Sequence, residues 1–477
     1  MRLIHGKANE EKQEVGDMFH KKKIVVIGAG SAEFGCVTLL GMMQLQGLHG
    51  FELALVDIDK ERLEAITALA RKMNQKWQAD MKITSSADRT EALPGAGYVM
   101  LSVAIEREDL WMLDHETALK YDITHFAENG GPAAFVHTCR NLGIILPILQ
   151  DIEELCPGAV LFDLTNPTQR ICTAARSFSK IQTLGVCHQI TFGYYLLGLL
   201  FRKELGLSFP DNYRFVWTDQ GIEDWFTTAY AVMERFEIKA AGINHFTWML
   251  DVRDRNTGED LYPQIAEKRK QLPPTFEPLS QKIFDIFGIM PVSGDSHLGE
   301  YVPYTSDARE KTWHRYDIQF YDMEWGKRKR EEGWKLVRDI LDDKVGLDSL
   351  SFVYSERAEH IIDSIANNRY TYEEALVLPN KGYITNLPRD SIVEVPAIIS
   401  TDGATGVVVG ELPEPIAEFC RRQITINEMT VQAFLKRERK LVYQLFAIDP
   451  MIQDPEVAIR LADEYLELNK NYIPEFC

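Results

Sequence analysis

Cys187 and His188 stand side by side, and His245 follows 58 residues later in the run Ile243-Asn244-His245-Phe246. A thiolate and imidazoles suit a divalent transition metal. With only Cys187 and His245 as protein ligands, coordination positions stay open for substrate oxygens, which a Lewis-acid site needs. His188, beside such a metal, could donate a proton, because an imidazole with an ordinary pKa of about 6.5 does so near neutral pH. Tyr301 and Tyr304 sit in the loop from Gly294 to Tyr304. Either could serve as a base only if a metal or cation lowered a phenol from its usual value of about 10. Each residue also has a plainer use: the cysteine as a small buried side chain, the histidines and tyrosines as packed rings.

A second constellation lies at the start of the chain. Residues 22–34 read KKIVVIGAGSAEF. Ile24 to Ile27 is a buried strand, Gly28-Ala29-Gly30-Ser31 a sharp turn, and Val37 to Met43 an apolar helix face. Glycines there clear room for a pyrophosphate, and the helix N-terminus offers free N–H groups to it. The third glycine of a G-x-G-x-x-G pattern is replaced by Glu33. Phe51 to Asp59 reads as the next strand and ends in Asp57, where a ribose 2′-hydroxyl is held, so NAD is expected over NADP. A surface aspartate at a strand end is the alternative.

The elements that position these groups alternate. A helix over 60–78, a strand over 81–86, a short helix over 88–93 and a strand over 97–104 predict a parallel, doubly wound sheet. Its functional residues belong just past the carboxyl ends of the strands. Arg107 follows one such strand, and Thr165-Asn166-Pro167 follows the strand over 159–164. Glu128 to Pro132 must be a loop before a helix over 133–149, carrying substrate contacts or merely connecting. Cys187-His188 closes the strand over 184–189. Further on, a helix is expected over 194–205. The charged run 321–338 is read as a solvated helix, 382–396 as extended, and 417–447 and 455–468 as long helices.

Thr165-Asn166-Pro167 resembles the nicotinamide side of lactate and malate dehydrogenases. About twenty residues later those enzymes carry D-x-x-R, and this chain has Gly185-Val186-Cys187-His188. That argues against an ordinary hydroxy-acid dehydrogenase.

The chain has 477 residues with a formal net charge of -19. The acidic balance argues against nucleic acid or an anionic membrane as a general partner. Seven scattered cysteines form no CxxC pair, so no disulfide scaffold or zinc ribbon is expected. Without a signal peptide or a run of about 18 apolar residues, the reading is cytoplasmic. The organisation expected is a tail over 1–21, an NAD-binding Rossmann-like domain over 22–200 and a substrate, metal and oligomerisation domain over 201–477. The fold class is α/β: a Rossmann-like doubly wound parallel sheet with an intimately packed α+β C-terminal domain, lactate/malate-dehydrogenase-like.

Taken in order, GAGS at Gly28, Arg107, TNP at Thr165, CH at Cys187, INHF at Ile243, HLGEYVPY at His297 and NLPRDSIVEVP at Asn386 resemble glycoside hydrolase family 4. This family is the NAD-dependent exception to two-carboxylate glycosidases. The resemblance implies C3 oxidation by NAD+, C2 proton abstraction, elimination of the aglycone, addition of water and return of the hydride. It implies Cys187 and His245 on Mn2+ or another divalent metal, Asn166 and Arg107 on substrate, Tyr301 as base with Tyr304 as fallback, and His188 as proton donor. Gly28, Gly30, Ser31 and Asp57 hold the cofactor, and a homodimer or homotetramer is implied. Cys-His-Gln points to members acting on unphosphorylated α-glycosides. The long stretch between Cys187 and His245, with an insertion around Phe209 to Phe226, resembles the α-galacturonidase branch. Arg107, Arg140 and Arg170 are candidates to meet a galacturonate carboxylate. α-Galactosidase, α-glucosidase and an NAD-dependent sugar or hydroxy-acid dehydrogenase are the alternatives.

Overall fold

A computed structural model of the chain describes residues 22–31, 34–350 and 355–477. The expected tail over 1–21 and the Glu33 position lie outside the described residues. The strands are β1 (Lys23–Ile27), β2 (Glu52–Val56), β3 (Lys82–Ser86), β4 (Tyr98–Leu101), β5 (Val160–Asp163) and β6 (Gln182–Gly185). They continue with β7 (Phe236–Ile243), β8 (Phe246–Asp254), β9 (Met290–Pro291), β10 (Thr371–Pro379), β11 (Ile392–Ser400) and β12 (Gly403–Gly406).

The first six strands run parallel in the order β3-β2-β1-β4-β5-β6. The order reverses between β1 and β4, the crevice where open α/β sheets bind ligands. Ile24, Val25, Val26 and Ile27 are all buried, because helices cover both faces of β1. Burying each such side chain stabilises the fold by about 1.5–3 kcal/mol.

The second half continues the same sheet. β10 lies antiparallel beside β6, pairing Val377 with Gly185, and the order runs on as β11, β7, β8 and β9, with β12 on β11. Thus β10 and β11, late in the chain, sit between β6 and β7. The fold is a Rossmann-like parallel sheet extended by an antiparallel, helix-covered half.

Several local expectations are corrected. The loop read over Glu128–Pro132 ends early: the helix spans Gly131–Leu155, with Pro132 in its first turn, where the missing N–H costs nothing. This helix is long and apolar enough to cross a bilayer, yet most of it is buried in the core. The helix read over 194–205 spans Ile190–Leu200. The charged run forms the helix Met323–Leu341, but it is not merely solvated. Val337 and Ile340 are buried, and Arg330 pairs with buried Glu108. The extended segment begins only at Ile392. Before it, buried Asn380 donates to the carbonyls of Ile384, Leu387 and Pro388 at 3.0–3.2 Å and folds the stretch into a turn. The helix read over 417–447 is two, Glu414–Lys436 and Arg439–Ala447, broken where Arg437 takes a left-handed φ of 57°. The last long helix spans Pro455–Leu468, as its periodicity predicts.

Candidate active site

The glycine turn follows β1. Gly28 has φ +88°, and a Cβ there would lie 1.8 Å from the Ser102 carbonyl oxygen after β4. Only glycine fits that approach. The Gly30 amide donates to Asp57 Oδ2 at 2.7 Å, and the Asp59 amide to Asp57 Oδ1 at 2.9 Å. Asp57 thus links the ends of β1 and β2. A cleft of about 640 Å³ opens here, lined by Gly28, Gly30, Ser31, Asp57, Arg107 and Asn166 among others. Sites for small ligands and cofactors span about 300–1,000 Å³. Size, glycine turn and strand-end carboxylate all fit a dinucleotide.

At the inner end of the cleft one side chain ties two expected residues together. Arg107 Nη2 donates to Glu128 at 3.0 Å, and Asn166 Nδ2 donates to Glu128 Oε1 at 2.6 Å. Burial works against the Glu128 charge, but Arg107 and the Asn166 amide hold its carboxyl below the usual range. The loop carrying Glu128 is fixed by Glu300, which accepts the backbone N–H groups of Ala127, Asn129 and Gly130 at 2.9–3.2 Å. Burial pushes the Glu300 carboxyl up to about 7.

The second group gathers past β6 and β7. His245 is the second residue of the two-residue turn joining β7 to β8, with φ 64°. A non-glycine residue seldom adopts that conformation, and such strain is concentrated at functional sites. The turn is held from outside: the Asn244 amide donates to Gln169 Oε1 at 3.1 Å, and Gln169 Nε2 donates to the Ile392 carbonyl at 2.6 Å. The result is a Cys187 Sγ to His245 Nε2 separation of 3.5 Å.

That separation tests the expected metal. Bonds of about 2.3 Å to sulfur and about 2.1 Å to nitrogen at a tetrahedral angle place the two donors about 3.6 Å apart. Burial, then His297 and His188, hold His245 neutral, which is its ligand form. Burial, then Glu356 and Glu394, push the Cys187 thiol up, while the Asn244 side chain and Gln189 amide pull it down. Bound to a metal, such a thiol is deprotonated. The donor pair fits a divalent metal. Among the described residues no group of three or more His, Cys, Asp or Glu side chains could hold one.

His188 Nδ1 lies 2.6 Å from Glu356 Oε1, which orients the ring. His297 stacks on His245 with centroids 4.6 Å apart, and Tyr301 stacks on Phe246 at 5.0 Å. Tyr301 is buried; burial and then Glu300 push its phenol up, while Arg170 pulls it down. Tyr304 is 41% exposed. Of the three arginines, only Arg107 lines the cleft. Arg140 is sealed in the core on Asp114 and Asn469, at 3.1 and 2.6 Å, which corrects its candidacy. Arg170 is equally buried, with Nη1 3.4 Å from Thr430 Oγ1. Glu128 joins the two groups, since its charge acts on both Arg107 and His297. Sequence reasoning missed Glu300, Glu356 and Gln169, and it marked the Glu128 loop only as a region.

Known proteins match this chain in sequence and fold. Residues 23–194 match the model described as family 4 glycosyl hydrolase, and residues 240–452 match that of the family 4 glycosyl hydrolase C-terminal domain. Residues 195–239 lie between the two matches. An α-galactosidase of Bacillus subtilis is 29% identical over 466 residues, covering 95% of this chain and 100% of that one. An α-glucosidase of Erwinia rhapontici is 28% identical over 469 residues, covering 90% and 93%. A 6-phospho-alpha-glucosidase from gut microorganisms, solved in complex with NAD and Mn2+, superposes with a TM-score of 0.77 at 20% identity, covering 95% of this chain and 99% of that one.

Proposed function

The chain belongs to the family 4 glycosyl hydrolases, and on that premise we propose that it hydrolyses α-glycosides of unphosphorylated hexoses with bound NAD and a divalent metal such as Mn2+. The observation that carries this reading is the Cys187–His245 pair at 3.5 Å, which stands where a dehydrogenase would carry its D-x-x-R element.

The glycine turn would hold NAD+, and Cys187 and His245 a divalent metal; when bound these would supply a hydride carrier that is reduced and reoxidised at C3 within one turnover and a Lewis acid for the sugar's oxygens, with water replacing the aglycone at C1 before the hydride returns. The chain's own residues do the rest. Asn166, oriented by Glu128, holds the C2 and C3 hydroxyls. Tyr301 takes the C2 proton; burial and then Glu300 hold its phenol up, Arg170 opposes them, and a neighbouring metal would have to lower it further. His188, oriented through Nδ1 by Glu356, passes a proton from Nε2 to the departing glycosidic oxygen. Asp57 takes the ribose hydroxyls and sets the preference for NAD.

A neutral sugar is the first reading, because Arg107, the one of the three candidate arginines that lines the cleft, already has its guanidinium neutralised by Glu128. α-Galacturonides form the second reading, favoured by the long Cys187–His245 segment.

The deciding assay uses aryl α-galactoside, α-glucoside and α-galacturonide with NAD+ and Mn2+ in D2O under reducing conditions. Hydrolysis with deuterium at C2 and no accumulated NADH is expected. Stoichiometric NADH from a free sugar or hydroxy acid would overturn the reading in favour of a dehydrogenase.

A further inference from the structure

Asn244 precedes His245 in the turn between β7 and β8, and it is buried. Asparagine is common in tight turns because it tolerates a positive φ. Here the left-handed φ of 64° falls on His245 and not on Asn244, so the backbone does not require an asparagine side chain at this position. That side chain lies between two other groups. Asn244 Nδ2 donates to Glu394 Oε2 at 2.5 Å, and the same amide is a hydrogen-bond donor to Cys187. Asn244 Oδ1 is buried without a partner among the described residues.

Glu394 is as unusual as its partner. It stands on β11 opposite Gly242 of β7 and is 2% exposed. Buried carboxylates are ordinarily paired with a cation or bound to a metal. Among the described residues no cation faces Glu394, and its hydrogen-bond partner is the Asn244 amide. A carboxylate accepts hydrogen bonds and donates none, so it selects the N–H edge of that amide and turns the carbonyl away. The edge carries two N–H groups. Glu394 takes one and thereby aims the other at the Cys187 sulfur. With the amide reversed, a carbonyl oxygen would face the sulfur lone pairs. The same residue is tied down through its main chain as well, since Gln169 links the Asn244 N–H to the Ile392 carbonyl. Two positions of β11, Ile392 and Glu394, therefore fix the main chain and the side chain of one residue.

We propose that Glu394 and Asn244 are positioning residues for the metal ligand Cys187: Glu394 orients the Asn244 amide, and that amide holds the sulfur by an N–H···S hydrogen bond where it meets His245. These roles rest on the metal site of the proposed function and extend it by two residues that act through the sulfur. Asn244 is bonded covalently to one ligand residue and by hydrogen bond to the other, so Glu394 sets both at once. Outer-shell partners of this kind orient metal ligands and tune them, and their loss costs about 10–100-fold in metal affinity. A hydrogen bond to a metal-bound thiolate also stabilises its lone pairs, which raises the energy needed to move an electron from sulfur to metal.

The test uses Co2+, which suits thiolate and imidazole donors and gives a thiolate-to-metal charge-transfer band in the near ultraviolet. The full chain is titrated with cobalt chloride without oxygen, as wild type, Cys187→Ser, Glu394→Leu and Glu394→Gln. Wild type should show the band and Cys187→Ser should lack it. Glu394→Leu removes the acceptor, so Co2+ affinity should fall about tenfold or more. At saturating Co2+ its band should move to longer wavelength, because the sulfur has lost a donor. Glu394→Gln keeps an oxygen acceptor and should stay close to wild type in both readings. A merely structural glutamate would lower the melting temperature of Glu394→Leu and leave the band of the folded protein in place. An unshifted band in Glu394→Leu, or an equal shift in Glu394→Gln, would overturn the positioning role. Should Glu394→Leu not fold, Asn244→Ala removes the donor itself, and an unshifted band there counts against the role. Wild type without the band would instead overturn the metal assignment beneath it.

Discussion

Cys187 Sγ and His245 Nε2 lie 3.5 Å apart although two strands, β10 and β11, separate their own strands in the sheet. The turn bearing His245 is tied to the start of β11 through Gln169, which accepts from the Asn244 amide and donates to the Ile392 carbonyl. Because the pair is the only metal-binding element proposed, Cys187→Ser should lower kcat by more than about 100-fold. NAD+ affinity should be unchanged, since Cys187 does not line the cofactor cleft. Metal content by elemental analysis and NAD+ titration by fluorescence check both halves. Near-normal turnover would refute the metal assignment.

Asp57 offers both oxygens to backbone amides of the turns around it, and its charge faces the ribose position. Asp57→Asn removes the charge that repels a 2′-phosphate. The ratio of NADP+ to NAD+ affinity should rise about tenfold in paired titrations. An unchanged ratio would mean that another group reads the ribose.

Glu128 neutralises Arg107 in the cleft. Glu128→Gln leaves a guanidinium with unbalanced charge, so the ratio of kcat/KM for α-galacturonide over α-galactoside should rise about tenfold, even as both absolute rates fall. A ratio that stays flat would show that Arg107 does not face C6 of the sugar.

Glu300 carries a pH signature in stability. Burial raises its folded pKa to about 7, above the ordinary value of about 4.3 in an unfolded chain. The folded state therefore binds the extra proton, and this contribution to stability is present below about 4.3 and lost as pH rises towards and through 7. Glu300→Gln cannot titrate. The melting temperature of the variant minus that of wild type should therefore rise by about 3 °C between pH 4.5 and pH 7.5. A difference independent of pH would show that Glu300 is ionised throughout.

Local pattern made much of the architecture legible. The apolar run before Gly28, the alternation up to Asn166 and the strand end at Cys187 are features of short windows, and the parallel sheet follows from them. The break at Arg437 was invisible because helical periodicity continues through it, while the backbone conformation that interrupts it is set by packing. Glu128, Glu300, Glu356 and Gln169 escaped for another reason. Each acts on a partner far along the chain, as Glu300 does on the amides of residues 127–130, and no spacing rule relates such positions. Arg140 was misjudged because an arginine within an apolar helix reads alike whether it faces a cleft or, as here, Asp114 and Asn469 in the core.

The insertion of β10 and β11 between β6 and β7 also bears on synthesis. Once residue 245 has left the ribosome, both proposed metal ligands exist, but the strands that set their separation do not. Residues up to Ser400 must emerge before the thiol and the imidazole can meet. A nascent chain, or one cut short before the end of β11, therefore carries the ligands without the site and competes poorly for metal ions in the cell.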